Sequence, residues 1–298
     1  MKETYNNALY GATLAFTGFL FFSIGDAIVK ILKPENISPF QVSFIYACCG
    51  LIVLLCFSKQ LGGLRGTINT KHKKIHFLRA LLQAPTQVLN FYAFLHMPLS
   101  NAYAVIFLAP FFTALLAIPL LKEKPLITTW IAIFLGIAGV LVTHRPGGYE
   151  LSLPLLAVFA TAVITAIRNI VTRKVPPEET KLSMAVYPIL GIIVVTFFPT
   201  ILDFTVVGLY PMALLALGGG LFGFGVLWTS LAFRYAPAAV AGSVHYSQLV
   251  WGLLFGLLLF SDIPDLYTIT GAGLIALGGI SLIQGPNILK KLQGIFKA

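Results

Sequence analysis

The sequence predicts an all-α integral membrane protein, with ten transmembrane helices in two inverted five-helix repeats. Three features carry that expectation. Hydrophobic residues make up 58% of the 298-residue chain and charged residues only 10%, and the mean hydropathy is +0.90; soluble domains carry about 25% charge. Apolar runs of roughly 20 residues, the length a helix needs to cross hydrocarbon, recur along the chain. Finally, AFLHMP (Ala93–Pro98) returns as AFRYAP (Ala232–Pro237), 139 positions later.

Breakers and charges divide the chain into spans at 8–32, 39–58, 76–97, 99–121, 126–144, 153–174, 182–202, 209–233, 238–260 and 265–284. Helices are expected because lipid leaves open sheet edges unsatisfied, and no barrel-like alternation is visible. The loops are short except Lys59–Ile75, which leaves no room for a soluble domain. A cleaved signal peptide is the competing reading of the first run, with Ser23-Ile24-Gly25 as a loose cleavage site. Lys2 balanced by Glu3 makes a weak leader for one. Cys48, Cys49 and Cys56 lie in one apolar run and read as packing residues rather than a disulfide framework.

The net charge of +10 reads as membrane topology rather than as a nucleic-acid partner. With the N-terminus inside, seventeen of the twenty Lys and Arg residues fall on the cytoplasmic side, leaving Lys30, Lys33 and Arg145 outside. Such asymmetry is the positive-inside pattern. It predicts cytoplasmic termini in a cell (inner) membrane protein.

The 139-residue shift pairs MPLSNAYAV with APAAVAGSV and LLKEKP with LFSDIP. Each half, 1–146 and 147–298, then holds five spans, the second with a short basic tail. Five is odd, so the second copy enters the membrane upside down, with KEK inside and SDIPD outside. Inverted repeats commonly build transporters with a midplane site between the halves.

The five-plus-five arrangement, the x-Pro loops before spans four and nine, and the L-x-E-x-P end (Leu121, Glu123, Pro125) resemble the EamA branch of the drug/metabolite transporter superfamily. One departure is Phe44–Tyr46 (FIY), where many members carry an Arg early in span two. The resemblance implies import, export or exchange of small metabolites without an attached ATPase.

Polar groups inside hydrocarbon are the informative ones, because each is costly without a partner or water. Gln83, Gln87 and Asn90 share one face of span three beside Pro85, as a cavity wall or as helix-packing groups. Span nine carries His245, Tyr246, Gln248 and Trp251, with Ser243 and Ser247. Its rings offer stacking surface, and histidine titrates near neutral pH. Tyr103 comes from span four. Asp26 either pairs locally with Lys30 at i+4 or serves a substrate amine or proton. Arg168 either snorkels to the cytoplasmic surface or, with Asn169, clamps an anion. GGGLFGFG (Gly218–Gly225), leading to Trp228, reads as close helix packing or as unwinding near a substrate.

The expected substrate site is therefore Gln83, Gln87, Asn90, Tyr103, His245, Tyr246, Gln248, Trp251 and Trp228, with Asp26, Arg168 and His245 as charge or proton sites. His72 and His76 have metal-ligand spacing but sit among lysines without a neighbouring carboxylate, so no metal is expected. No nucleophile elbow or paired catalytic acids appear, so no catalytic residue, cofactor or enzyme activity is expected. A channel or scaffold is the alternative class. Amino acids are the first substrate reading and nucleoside-like compounds such as S-adenosylmethionine the second. The expected partners are that small molecule and the lipid bilayer, with no nucleic acid, in a monomer or homodimer.

Overall fold

A run that is apolar on all sides has no face to hide from lipid, and here such runs form long helices. The computed structural model describes residues 2–97, 99–144, 152–260, 266–267, 269–271, 273–274, 276–278 and 281. Among the described residues there is no strand. The helices are α1 (Lys2–Ile31), α2 (Pro39–Cys56), α3 (Leu64–Ile68), α4 (Lys73–His96), α5 (Leu99–Ile106), α6 (Leu108–Leu121) and α7 (Ile127–His144). They continue as α8 (Leu153–Arg173), α9 (Ser183–Leu202), α10 (Leu209–Tyr235), α11 (Ala238–Ser243) and α12 (Ser247–Phe260).

Local chemistry sets several of these elements. Ser38 caps α2 by accepting the Gln41 N–H at 3.2 Å, with Pro39 in the first turn. Threonine hydroxyls inside the spans donate to their own helix, Thr196 to Ile192 O at 2.7 Å and Thr13 to Leu9 O at 3.0 Å. Their polarity is thereby satisfied without water. Outward-facing Val194, Phe198 and Leu202 are 74%, 69% and 76% exposed, an apolar surface suited to lipid rather than water.

Among the described residues six helical stretches are long and apolar enough to cross a membrane: Asn7–Ile31, Pro39–Cys56, Leu153–Arg173, Ser183–Leu202, Leu209–Tyr235 and Ala238–Leu259. The expected span 76–97 forms α4 but is too polar to count among them, because its glutamines, Asn90 and basic residues dilute it. Two expected spans are broken rather than continuous. The fourth divides into α5 and α6 at Phe107, and the ninth passes through a 3-10 turn at Val244–Tyr246. The long loop Lys59–Ile75 contains α3. The expected last span lies largely outside the described residues, as do Arg145, Lys290, Lys291 and Lys297.

Helix boundaries recur at the 139-residue shift: α6 moved by that distance coincides with α12, and α5 begins where α11 begins. Packing follows the same exchange. Helix α1 packs along α10 as α8 packs along α4, α2 on α10 as α9 on α4, and α12 on α1 as α6 on α8. Bare backbone makes the seams tight. A Cβ on Gly50 of α2 would lie 2.8 Å from Gly219 O of α10, and one on Gly191 of α9 would lie 2.5 Å from Ala80 O of α4.

One end of the bundle is tied by hydrogen bonds between distant connections. Leu182 N donates to Leu61 O at 2.9 Å, and Tyr187 Oη donates to Thr67 O at 2.8 Å. Arg173 donates to Glu123 at 3.3 Å, whose carboxylate also accepts the Ala238 N–H at 2.9 Å. At the opposite end Gln41 bridges to Thr205 through two bonds of 2.7 and 2.8 Å. The loops holding most of the expected cytoplasmic charges therefore meet at one end.

Candidate substrate cavity

Helices α1, α4, α5, α8, α10 and the turn before α12 enclose a cavity of about 80 Å³, room for several waters. Its polar wall comes from α4 (Gln83, Thr86, Gln87, Asn90), from α8 (Thr165, Arg168, Asn169) and from His245 and Gln248. Asp26, Tyr46 and Tyr103 add an acid and two phenols, and Phe19, Phe22, Phe91, Phe94, Phe222 and Phe233 supply aromatic surface. The lining comes in pairs related by the 139-residue shift: Asp26 with Thr165, Gln83 with Phe222, Asn90 with Thr229, Phe94 with Phe233, and Ile106 with His245. The frame repeats while the chemistry does not.

The two charges take long-range partners. Asp26 accepts the Tyr103 O–H at 2.7 Å, a bond between α1 and α5. Arg168 does not snorkel. Its side chain turns inward and Nη1 donates to Gln83 Oε1 at 2.7 Å, because the cavity wall offers an acceptor that lipid cannot. Tyr46, in the FIY stretch, donates to Gly25 O at 2.9 Å.

His245 stacks on Phe19 with centroids 4.5 Å apart and meets the edge of Phe107. The Asn90 Oδ1 is buried without a hydrogen-bond partner among the described residues.

Of the expected site residues, Gln83, Gln87, Asn90, Tyr103, His245, Gln248, Asp26 and Arg168 line the cavity. Tyr246, Trp251 and Trp228 do not. Tyr246 packs on Phe107, Trp251 on Phe16, and Trp228 stacks on Phe21 at 4.8 Å. The phenylalanines of the wall and Thr86, Thr165 and Thr229 escape sequence reading, since nothing separates them from the rest of the 24 Phe and the scattered Thr of an apolar chain.

The sequence also misjudges His72 and His76. Carboxylates do reach them, from the α8–α9 loop: Glu178 lies 3.2 Å from His72 and Glu179 3.1 Å from His76. The two histidines face separate acids instead of converging. Among the described residues no group of three His, Cys, Asp or Glu is placed to hold a metal.

Comparison with known proteins gives this geometry its context. The model of the EamA-like transporter family matches residues 9–145. Over that segment the chain is similar to the EamA-like transporter family. Relatives match over nearly the whole length of this chain. The S-adenosylmethionine uptake transporter of Rickettsia prowazekii is 25% identical over 92% of both chains. An uncharacterized transporter of Helicobacter pylori is 28% identical over 97% of this chain and 99% of its own. The pseudopaline exporter CntI of Pseudomonas aeruginosa is 26% identical over 91% and 95%. A solved structure described as the crystal structure of a protein matches with TM-score 0.73 at 20% identity, covering 91% of this chain and 95% of its own; that likeness bears on the fold alone. The family and these named relatives are transporters.

Proposed function

We propose that this protein is a secondary transporter that moves a small zwitterionic metabolite through the central cavity by alternating access. The observation that carries the reading is a carboxylate, Asp26, and a guanidinium, Arg168, on the wall of one amide- and aromatic-lined cavity. A free α-ammonium and α-carboxylate match that pair, through charge-assisted hydrogen bonds. Amino acids and S-adenosylmethionine share this head group. The second carries a sulfonium and a base as well, for which the surrounding phenylalanine faces are suited by cation–π attraction and stacking. The names of the rickettsial relatives favour S-adenosylmethionine as the first compound to test.

Ten spans in inverted halves, 1–146 and 147–298, remain the architecture proposed for the rocking motion. Support comes from helix boundaries that coincide at the 139-residue shift and from packing that is preserved when the halves are exchanged. The breaks at Phe107 and Val244–Tyr246 resemble the discontinuous helices that line midplane sites in such carriers. The tied end is the cytoplasmic one in this reading, the membrane is the cell membrane, and the chain acts as a monomer or homodimer without a cofactor.

Proteoliposomes loaded with unlabelled S-adenosylmethionine or L-phenylalanine test the proposal by uptake of the same labelled compound. Saturable uptake, accelerated by compound on the far side, is expected for a carrier. Uptake that neither saturates nor responds to the far side would instead assign a channel. No uptake of either compound, with a folded protein, would remove the zwitterion reading.

A further inference from the structure

Beside the central cavity, toward the tied end, lies a smaller cavity of about 20 Å³. Phe22, Gln83, Arg168, Asn169, Thr229 and Phe233 line both, so the small one is an annexe of the large. Two guanidinium groups, Arg79 and Arg168, form part of its wall, and among the described residues lining it there is no carboxylate.

Arg79 is 1% exposed. Its Nε donates to Thr172 Oγ1 at 3.1 Å, and its Nη2 donates to Met184 O at 2.6 Å and Ser230 Oγ at 3.0 Å. Its Nη1 faces His76 Nδ1 at 3.4 Å. With Nδ1 accepting, the His76 proton sits on Nε2, which donates to Glu179 at 3.1 Å. The acid of this network is thus one imidazole removed from the guanidinium. Arg168 in turn donates to a neutral amide, Gln83. Neutral acceptors satisfy N–H groups but leave the net charge, and two like charges in a low-dielectric wall raise each other's energy. A small anion between them removes that repulsion and supplies charge-assisted acceptors.

We propose that the annexe is a second anion subsite, which takes a carboxylate between Arg79 and Arg168. It rests on the reading of Arg168 as carboxylate anchor in the central cavity. A substrate carboxylate leaving Arg168 toward the tied end meets Arg79 next, so the pair forms two successive holds on the same group. The same chemistry also fits a free inorganic anion, which the test separates.

Thermal unfolding of the purified protein, with sodium acetate replacing sodium chloride at constant ionic strength, reads the subsite without transport. Acetate is expected to raise Tm saturably where chloride does not. Ser230→Asp places a built-in carboxylate against Arg79, and Ser230→Asn controls for size. The Asp variant should have the higher Tm and a blunted acetate response, whereas the Asn variant should keep that response. Arg79→Gln should weaken the apparent acetate affinity by about tenfold, the scale of one lost charge-assisted bond, and Arg79→Lys should retain most of it. An Asp variant no more stable than the Asn variant overturns the proposal, as does a folded Arg79→Gln protein that binds acetate like the wild type. Equal stabilisation by chloride overturns the carboxylate assignment. Failure of S-adenosylmethionine and phenylalanine uptake with the acetate response intact removes the substrate reading alone.

Discussion

Phe107 and Tyr246, 139 positions apart, face each other with ring centroids 5.7 Å apart. Each stands at the break of its own span, and the repeat shift carries one onto the other. Two positions exchanged by a two-fold axis can touch only if both lie near that axis. In the proposed inverted-repeat architecture the pair marks where the halves meet, with His245 one residue away on the cavity wall. Phe107 is 1% and Tyr246 4% exposed. Phe107→Ala and Tyr246→Ala are each expected to lower unfolding stability by about 3 kcal/mol, with a coupling of about 1 kcal/mol in the double variant. Reversible unfolding in mixed micelles measures both. Additive losses would mean that the rings pack on other neighbours instead.

How much of this was legible differs by level. Six of the expected spans are legible from composition among the described residues, because a lipid-facing helix must be apolar over a fixed length. The proposed repeat rests in sequence on one hexapeptide pair, in which Ala, Phe and Pro recur before spans four and nine. The site is legible only where polarity is out of place, at Asp26, Gln83, Gln87, Asn90, Arg168, His245 and Gln248. Side-chain direction was not legible. Trp251 and Trp228 sit on the right helices but pack against Phe16 and Phe21. Arg168 lies five residues before the end of α8, and only the tertiary acceptor Gln83 decides its direction. The annexe was hidden for a similar reason. Arg79 reads as one more basic residue near a loop until three other helices and, through His76, a distant glutamate close around it.

The bond from Tyr103 to Asp26, at 2.7 Å, orients the acid that the proposed substrate ammonium would meet. Asp26→Asn should abolish binding of amine-bearing probes while acetate still stabilises the protein. Tyr103→Phe should cost about 1–3 kcal/mol of stability, because it leaves the buried carboxylate without that donor. Thermal-shift titrations with methylamine and with acetate separate the two ends. Loss of both responses in Asp26→Asn would point to a structural rather than a binding acid.

The glycine seams make a steric prediction. A Cβ at Gly50 or Gly191 meets backbone oxygen at 2.8 and 2.5 Å, whereas the nearest atom to one at Gly242 is Thr113 Cγ2 at 3.4 Å, an ordinary contact. Backbone cannot yield as a flexible side chain does. Gly50→Ala and Gly191→Ala should each destabilise by about 1–3 kcal/mol, despite the helix propensity gained. Gly242→Ala should stay within about 1 kcal/mol of the wild type. Equal stability of all three in micelles would show the seams to be loose.

Glu179 gives stability a pH dependence. Burial pushes its carboxyl pKa up, but the donors Thr70 and His76 prevail and hold it below the ordinary 4.5. A depressed folded pKa stabilises the fold fully above the unfolded value, and the contribution fades as pH falls through the folded one. Glu179→Gln should therefore be less stable than the wild type at neutral pH, with the gap closing below about pH 4. Tm measured for both proteins from neutral to acid pH checks the sign. A gap that widens in acid would mean that Glu179 is protonated in the native state.

The tied end carries the topology prediction. Thr70 donates to Glu179, Arg234 donates to the carbonyls of Glu179 and Pro177, and Arg173 bridges Glu123 to the end of α10. These bonds bring together the loop before α4, the α6–α7 and α8–α9 loops, and the end of α10. If the positive-inside tally is read correctly, all of them face the cytoplasm, and Asn36 and Thr205, beyond the opposite ends of α1 and α9, face outward. In a background lacking Cys48, Cys49 and Cys56, a membrane-impermeant thiol reagent applied to intact cells should label Asn36→Cys but not Lys73→Cys. Permeabilised cells should label both. Labelling of Lys73→Cys from outside, with Asn36→Cys protected, would invert the orientation and place the Arg79 annexe at the outer mouth of the path. Labelling of both from outside would break the common-end geometry, since residues at opposite ends of one helical bundle cannot share a face of the membrane.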